Sequence, residues 1–382
     1  MVVHRPAVWI GLAALGLAVL VSTGPRLSAA PDPASQPARS GRDIFIAACA
    51  SCHGWDGRGA SASQVGFTVP LPDFTDCSFS SREPDEDWLA VAHSGGPERV
   101  FDPMMPAFGE ALTVDELQRA LDHARSFCRD DGWPRGDLNF PRAMFTEKAF
   151  VEDEAVLTGD FGLGSPYQQS HKLIYEQRLG SRSQVELIVP FGLRQIAADP
   201  LSPAAWQGGL GDVGVGAKHV LLHGLGSGSI LSVAGEVVLP TGDHDRGFGK
   251  GTFALEPFLA YGQAIPLLGF VQLQVGSELP LDQRRAEIEV FWRLACGRSF
   301  GWGQWGRSFT PMIEVLGAST LSREFDPDWD VVPQLQVSLN RRQNLLAGAG
   351  VRIPVAHQEP RPVELTVYLL WDWFDGGLLE GW

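Results

Sequence analysis

The stretch Val363-Glu364-Leu365-Thr366-Val367-Tyr368-Leu369-Leu370-Trp371-Asp372-Trp373 alternates with a period of two. Successive strand side chains point to opposite faces. Val363, Leu365, Val367, Leu369, Trp371 and Trp373 therefore share one face, and Glu364, Thr366, Tyr368, Leu370 and Asp372 the other. This is a β-strand with one apolar side. The same alternation places Val185, Leu187, Val189, Phe191 and Leu193 together, then Ile288, Val290, Trp292 and Leu294, then Pro333, Leu335, Val337 and Leu339. About eleven such segments, divided by turns such as Gly224 to Gly228 and His244 to Gly251, predict a closed antiparallel barrel over residues 170–382.

The face opposite the aliphatic one carries Glu176, Glu186, Glu236, Glu256, Glu278, Glu289, Glu314 and Glu364, with Arg178, Arg194, Lys218, Arg293 and Arg352 at the same parity. A soluble β-sandwich could expose this face to water. Strands of roughly ten residues, aliphatic outside and charged inside, instead predict a transmembrane barrel of the outer-membrane type. Its even strand number makes twelve the expectation. The lumen carboxylates read as groups filling the interior beside Arg and Lys, in preference to a cation path or proton relay. Gly211-Asp212-Val213-Gly214-Val215-Gly216 and Gly235-Glu236-Val237-Val238-Leu239-Pro240-Thr241-Gly242 resemble bacterial outer-membrane barrels of the phenol-degradation and porin-like kind. Trp382 suits an outer-membrane assembly signal, although Glu380 and the glycines before it weaken that reading.

Upstream, Cys49-Ala50-Ser51-Cys52-His53 is followed by Gly54. Two thiols and an imidazole at this spacing form a c-type haem attachment site: Cys49 and Cys52 add to the haem vinyl groups as thioethers, and His53 gives a ring nitrogen to the iron. A thioredoxin-like pair would go with a βαβ pattern, and a zinc site with a second ligand pair at short range. The sequence has neither. Helical periods surround the motif at Gly41 to Ala50, Glu86 to His93 and Thr113 to Phe127, the last opening with a Thr113/Glu116 capping box. Between the second and third helices lies Asp102-Pro103-Met104-Met105-Pro106-Ala107-Phe108-Gly109, whose thioethers on a Pro-flanked loop suit a sixth iron ligand.

In its order of helix, Cys-x-x-Cys-His-Gly, middle helix, Met-Pro loop and final helix, the region resembles a small class I c-type cytochrome. That resemblance implies one covalent haem c, with His53 and Met105, the Met directly before Pro, as axial ligands. Met104 is the runner-up, and His93 the other candidate for the sixth position. Cys77 and Cys128 are either a disulfide, as an oxidising compartment invites, or two separate buried thiols.

Residues 1–29 read as a secretory signal, with basic His4 and Arg5, an apolar run from Ala7 to Val21 and small residues at Ser28-Ala29-Ala30. The expected order is signal 1–29, spacer 30–40, all-α cytochrome c domain 41–129, linker 130–169 and barrel 170–382. A net charge of −15 argues against nucleic acid as a partner. Cys296 receives no role, and His219, His223, His244 and His357 are scattered. The expected function is one-electron transfer at the periplasmic side of the outer membrane. Periplasmic donor or acceptor proteins and outer-membrane lipid are the partners, and the chain is a carrier more than a catalyst. The alternatives are a porin or transporter with the haem domain as plug or redox sensor, and a soluble periplasmic cytochrome with a β-sandwich binding domain.

Overall fold

Ser40 opens the helical region by accepting a hydrogen bond from the Asp43 amide at 3.2 Å, capping α1 (Gly41–Ala48). The short α2 (Ala50–His53), α3 (Ala62–Val65) and α4 (Cys77–Ser80) follow, then α5 (Asp85–Ser94) and α6 (Val114–Arg125). The capping box forms as expected: the Glu116 amide donates to Thr113 Oγ1 at 3.3 Å, and the Thr113 amide to Glu116 Oε2 at 3.0 Å. Ile44 from α1, Leu89 and Ala92 from α5, Leu112, and Leu117 and Ala120 from α6 bury a shared apolar core. A Cys77–Cys128 disulfide ties the start of α4 to the chain beyond α6.

This computed structural model describes residues 38–66, 70–164, 167–196, 205–267, 269–321, 326–356 and 361–373. The signal at 1–29, most of the spacer, His357, Glu380 and Trp382 lie outside the described residues.

The second region is all antiparallel. Its strands are β1 (Glu154–Gly162), β2 (Gln168–Leu179), β3 (Ser183–Ile196), β4 (Ala205–Leu210), β5 (Val213–Gly224), β6 (Ser229–Leu239) and β7 (Ala254–Ile265). They continue as β8 (Gly269–Pro280), β9 (Glu289–Gly297), β10 (Phe300–Gly301), β11 (Ser308–Thr320), β12 (Asp328–Ser338), β13 (Leu345–Pro354) and β14 (Glu364–Asp372). Short β4 lies beside β3, and short β10 beside β11. The other twelve close on themselves, β9 pairing β11 and β1 pairing β14 with Glu154 opposite Asp372. Twelve strands in a closed antiparallel ring is the expected architecture.

The faces also fall as the alternation implies. Leu187, Leu193, Val237, Leu259, Val275, Ile313, Leu335 and Leu369 are exposed on the outside, while Glu176, Glu186, Gln274, Glu314 and Gln334 are buried inside. Trp373 follows the outward parity but is buried. The strand ends at Asp372; the Trp373 amide donates to Asp153 O at 3.0 Å, and its buried ring stacks on Tyr175 at 5.6 Å.

The expected 130–169 linker needs correction. Its end, from Glu154, is the first barrel strand, whose register with β2 and β14 closes the ring. Residues 139–153 enter the lumen and bond to its wall. The Tyr368 hydroxyl donates to Arg142 O at 2.9 Å, Gln272 Nε2 to Pro141 O at 2.9 Å, and Arg293 Nη1 to Phe145 O at 2.6 Å. Phe140 stacks on Phe270 at 5.5 Å, and Leu138, Ala149, Phe150 and Val151 pack with inward-facing Val220, Ile230, Phe258 and Phe291. A segment without regular structure is stable here because the barrel supplies partners for its backbone groups. It is a plug.

Candidate haem centre and its mounting

Cys49, Cys52 and His53 share one turn at the junction of α1 and α2, with the amides of Cys52 and His53 donating to Cys49 O at 3.2 and 3.0 Å. Both thiols are free and half-buried. Gly54 at φ +74° ends the turn in a conformation that favours glycine. His53 Nδ1 is buried without a hydrogen-bond partner, and burial pushes the imidazole pKa down to about 4. His53 is therefore neutral at ordinary pH, the form whose lone pair can bind a metal. Burial, with the nearby Cys52, pushes the Cys49 thiol up to about 11. Two unbridged thiols and a neutral, orphaned imidazole on one turn fit covalent haem attachment.

An aromatic wall continues from this turn. Phe74 stacks on His53 at 4.9 Å and touches Trp88 at 5.3 Å, while Phe79 lies 5.6 Å from Trp88. The Arg125 guanidinium covers the Trp88 ring at 3.8 Å. Trp88 lies on a readable helical stripe, but Phe74 and Phe79 sit in irregular sequence with no period to mark them.

The Met-Pro loop hangs from the end of α5. The Gly96 amide donates to Met105 O at 3.0 Å, and the Met105 amide to Asp102 O at 3.2 Å. Met104 is half exposed with its amide on Asp102 Oδ1 at 2.8 Å, whereas Met105 is the more enclosed. His93 turns to other partners: Ser94 Oγ lies 3.0 Å from its Nδ1, and its ring lies 5.5 Å from Trp305.

Trp305 belongs to the barrel, in the turn 302–307 between β10 and β11, and packs on the helical core. Its carbonyl accepts from Arg99 Nη1 at 2.5 Å, and Arg99 is itself fully buried and paired with Asp87 at 2.7 Å. From the next turn on the same rim, Arg341 pairs with Glu98 at 3.1 Å. The helical domain is thus mounted on the barrel mouth. A cavity of about 630 Å³ lies at this junction, lined by Arg82, Glu86, Phe140, Arg142, Phe270 and Phe300 among others.

Residues 36–123 match the family model for cytochrome c oxidase, cbb3-type, subunit III. The match to a c-type cytochrome family implies haem binding by this region. No curated protein matches the chain. Among solved structures, the COG4313 outer membrane channel from Pseudomonas putida F1 is similar at 12% identity, covering 60% of this chain and 99% of that one with a TM-score of 0.42. The KdgM porin is similar at 9% identity, 58% and 99% coverage and a TM-score of 0.37. The NanC porin is similar at 8% identity, 57% and 98% coverage and a TM-score of 0.39.

Proposed function

We propose that the chain is a monohaem c-type cytochrome anchored in the outer membrane by its own barrel, exchanging single electrons with periplasmic partner proteins. Cys49 and Cys52 hold the haem through thioethers, and His53 and Met105 hold its iron. When bound, the group supplies one-electron chemistry between Fe(II) and Fe(III). The chain excludes water from one side with Phe74, Trp88 and Phe79, and keeps His53 neutral by burial. The enclosure of Met105 and the solvent exposure of Met104 support the ligand assignment.

The membrane reading rests on the outward aliphatic surface, carried by strands of membrane-spanning length. Connections on the side of the helical domain include the tight 180–182 and 225–228, whereas 240–253 lies at the opposite end. Short turns belong at the periplasmic rim and long loops outside, which supports a periplasmic haem domain.

The plug supports the electron-carrier reading over the porin one. Residues 139–153 occupy part of the lumen at the end nearest the helical domain, bonded to its wall beside the cavity that Phe140 and Arg142 line, which supports the carrier reading. The porin alternative has the haem domain as plug or redox sensor; the lumen position of residues 139–153 speaks against the first of these roles.

The test is made on protein purified from membranes. A pyridine haemochrome measurement should give one haem c per chain, retained through denaturation in the intact protein and lost in Cys49→Ser/Cys52→Ser. In planar bilayers the intact protein should not conduct. Steady conductance with no covalent haem would replace this reading with the porin one.

A further inference from the structure

We infer that two turns of the barrel, 298–307 and 339–344, hold the Met105 loop shut, with Trp305 as the principal positioning residue. The inference rests on the reading of Met105 as an axial ligand and goes beyond it by giving the barrel a part in the haem site.

The loop has little slack where it leaves α5. A Cβ on Gly96 would fall 2.2 Å from Asp102 O, and one on Gly95 would fall 3.0 Å from Met105 O. The Phe101 amide donates to Gly96 O at 2.9 Å, so 96–105 closes on bare backbone. Opening of this closure would carry Met105 away from the sixth position.

Barrel residues grip both ends of the closure. At its entry, Arg99 links Asp87 of α5 to Trp305 O, and Gln343 Nε2 reaches the same Asp87 oxygen at 3.4 Å. Arg341 pairs with Glu98, and Arg342 Nη2 donates to Val100 O at 3.2 Å with its guanidinium 5.4 Å from the Phe101 ring. Val100 is held at φ +61°, a costly conformation for a β-branched residue that persists only where surroundings impose it. At the exit, Trp305 backs the His93 ring, which lies so close over Gly109 that a Cβ there would be 2.5 Å from Nε2. The Gly109 and Phe108 amides donate to His93 O and Ala92 O at 2.9 and 3.1 Å. One barrel residue, Trp305, therefore braces the segment before Met105 through its carbonyl and the segment after it through its ring.

These turns depart from the tight turns elsewhere on this rim, and both reach the helical domain. Their consequence is that the stability of the sixth ligand depends on seating of the domain on the barrel.

The test is the rate at which cyanide binds the ferric protein in detergent, a reaction that requires Met105 to leave. Trp305→Ala should bind cyanide about tenfold faster than wild type at equal haem content. Arg341→Ala/Arg342→Ala, which spares the packed indole, should also be faster, and it decides the matter if Trp305→Ala fails to assemble. Exposed Arg284→Ala at the opposite end should match wild type. Wild-type rates in both rim variants would overturn the inference while leaving Met105 ligation standing. A wild-type spectrum without the methionine-to-iron charge-transfer band, or one unchanged in Met105→Ala, would overturn the ligand reading and this inference with it.

Discussion

Glu314 on β11 anchors the tip of the plug: its carboxylate accepts from the Met144 amide at 2.7 Å and from the Thr146 amide at 2.8 Å. The Phe145 amide adds contacts at 3.2 Å, and the Thr146 hydroxyl one at 2.7 Å. One buried side chain thus satisfies the backbone where the chain turns round inside the barrel.

Glu314→Ala removes the acceptor for several buried donors, each costing about 1–3 kcal/mol when unmet. Amide exchange at Met144, Phe145 and Thr146 should rise roughly a hundredfold, about 3 kcal/mol of local stability. Glu314→Gln keeps an acceptor and should exchange at an intermediate rate. Unchanged exchange in both would show that other wall contacts hold the tip.

The Cys77–Cys128 bridge spans 51 residues of sequence. The chain-entropy relation gives it about 4 kcal/mol. Cys77→Ser/Cys128→Ser should lower the unfolding midpoint of the helical domain, followed by haem absorbance, and leave the heat-induced mobility shift of the barrel unchanged. Equal midpoints would assign the bond no stabilising role.

Glu116 is partly buried, and its hydrogen bond from Arg39, with help from the Thr113 amide, pulls its pKa from 4.5 down to about 2. A lowered folded-state pKa stabilises the fold above the ordinary value and loses that contribution as pH falls through the folded one. Exchange protection at the N-terminus of α6 should decline from pH 4.5 towards about pH 2. Glu116→Gln should lack this dependence, and an identical profile in that variant would sink the assignment.

Leu259 is half exposed near the middle of β7, between Val233 and Val275 on its neighbours. If this surface faces lipid, Leu259→Arg should destabilise the barrel by about 2–4 kcal/mol. The midpoint of barrel unfolding by guanidinium in lipid vesicles measures this. A neutral effect would mean that the surface faces water.

The long strands were legible because each meets two different media. Leu187 and Leu193 point outward and Glu186 and Arg194 inward, so the period survives in the sequence. In β1 that contrast fades: inward Val156 packs against buried Ile174 and Tyr368, while outward positions include Ala155 and Gly159. The plug has no period because its partners are wall residues distant in sequence, such as Glu314 and Arg293. Trp305 sits in Gly301-Trp302-Gly303-Gln304-Trp305-Gly306, which reads as a loose turn. Its role depends on a surface over two hundred residues upstream at Arg99, as the sequence separation of 206 records. The haem motif was the opposite case, since both thiols and the imidazole lie within one turn.

The measurement closest to the central claim is haem-stained electrophoresis of outer membranes, with and without boiling, from cells expressing the chain. A single haem-positive band confined to the outer-membrane fraction, moving on heating, is the predicted result, since it requires covalent haem and a folded barrel in one polypeptide. Haem staining found only in soluble periplasm, with no heat-dependent shift, would contradict the account.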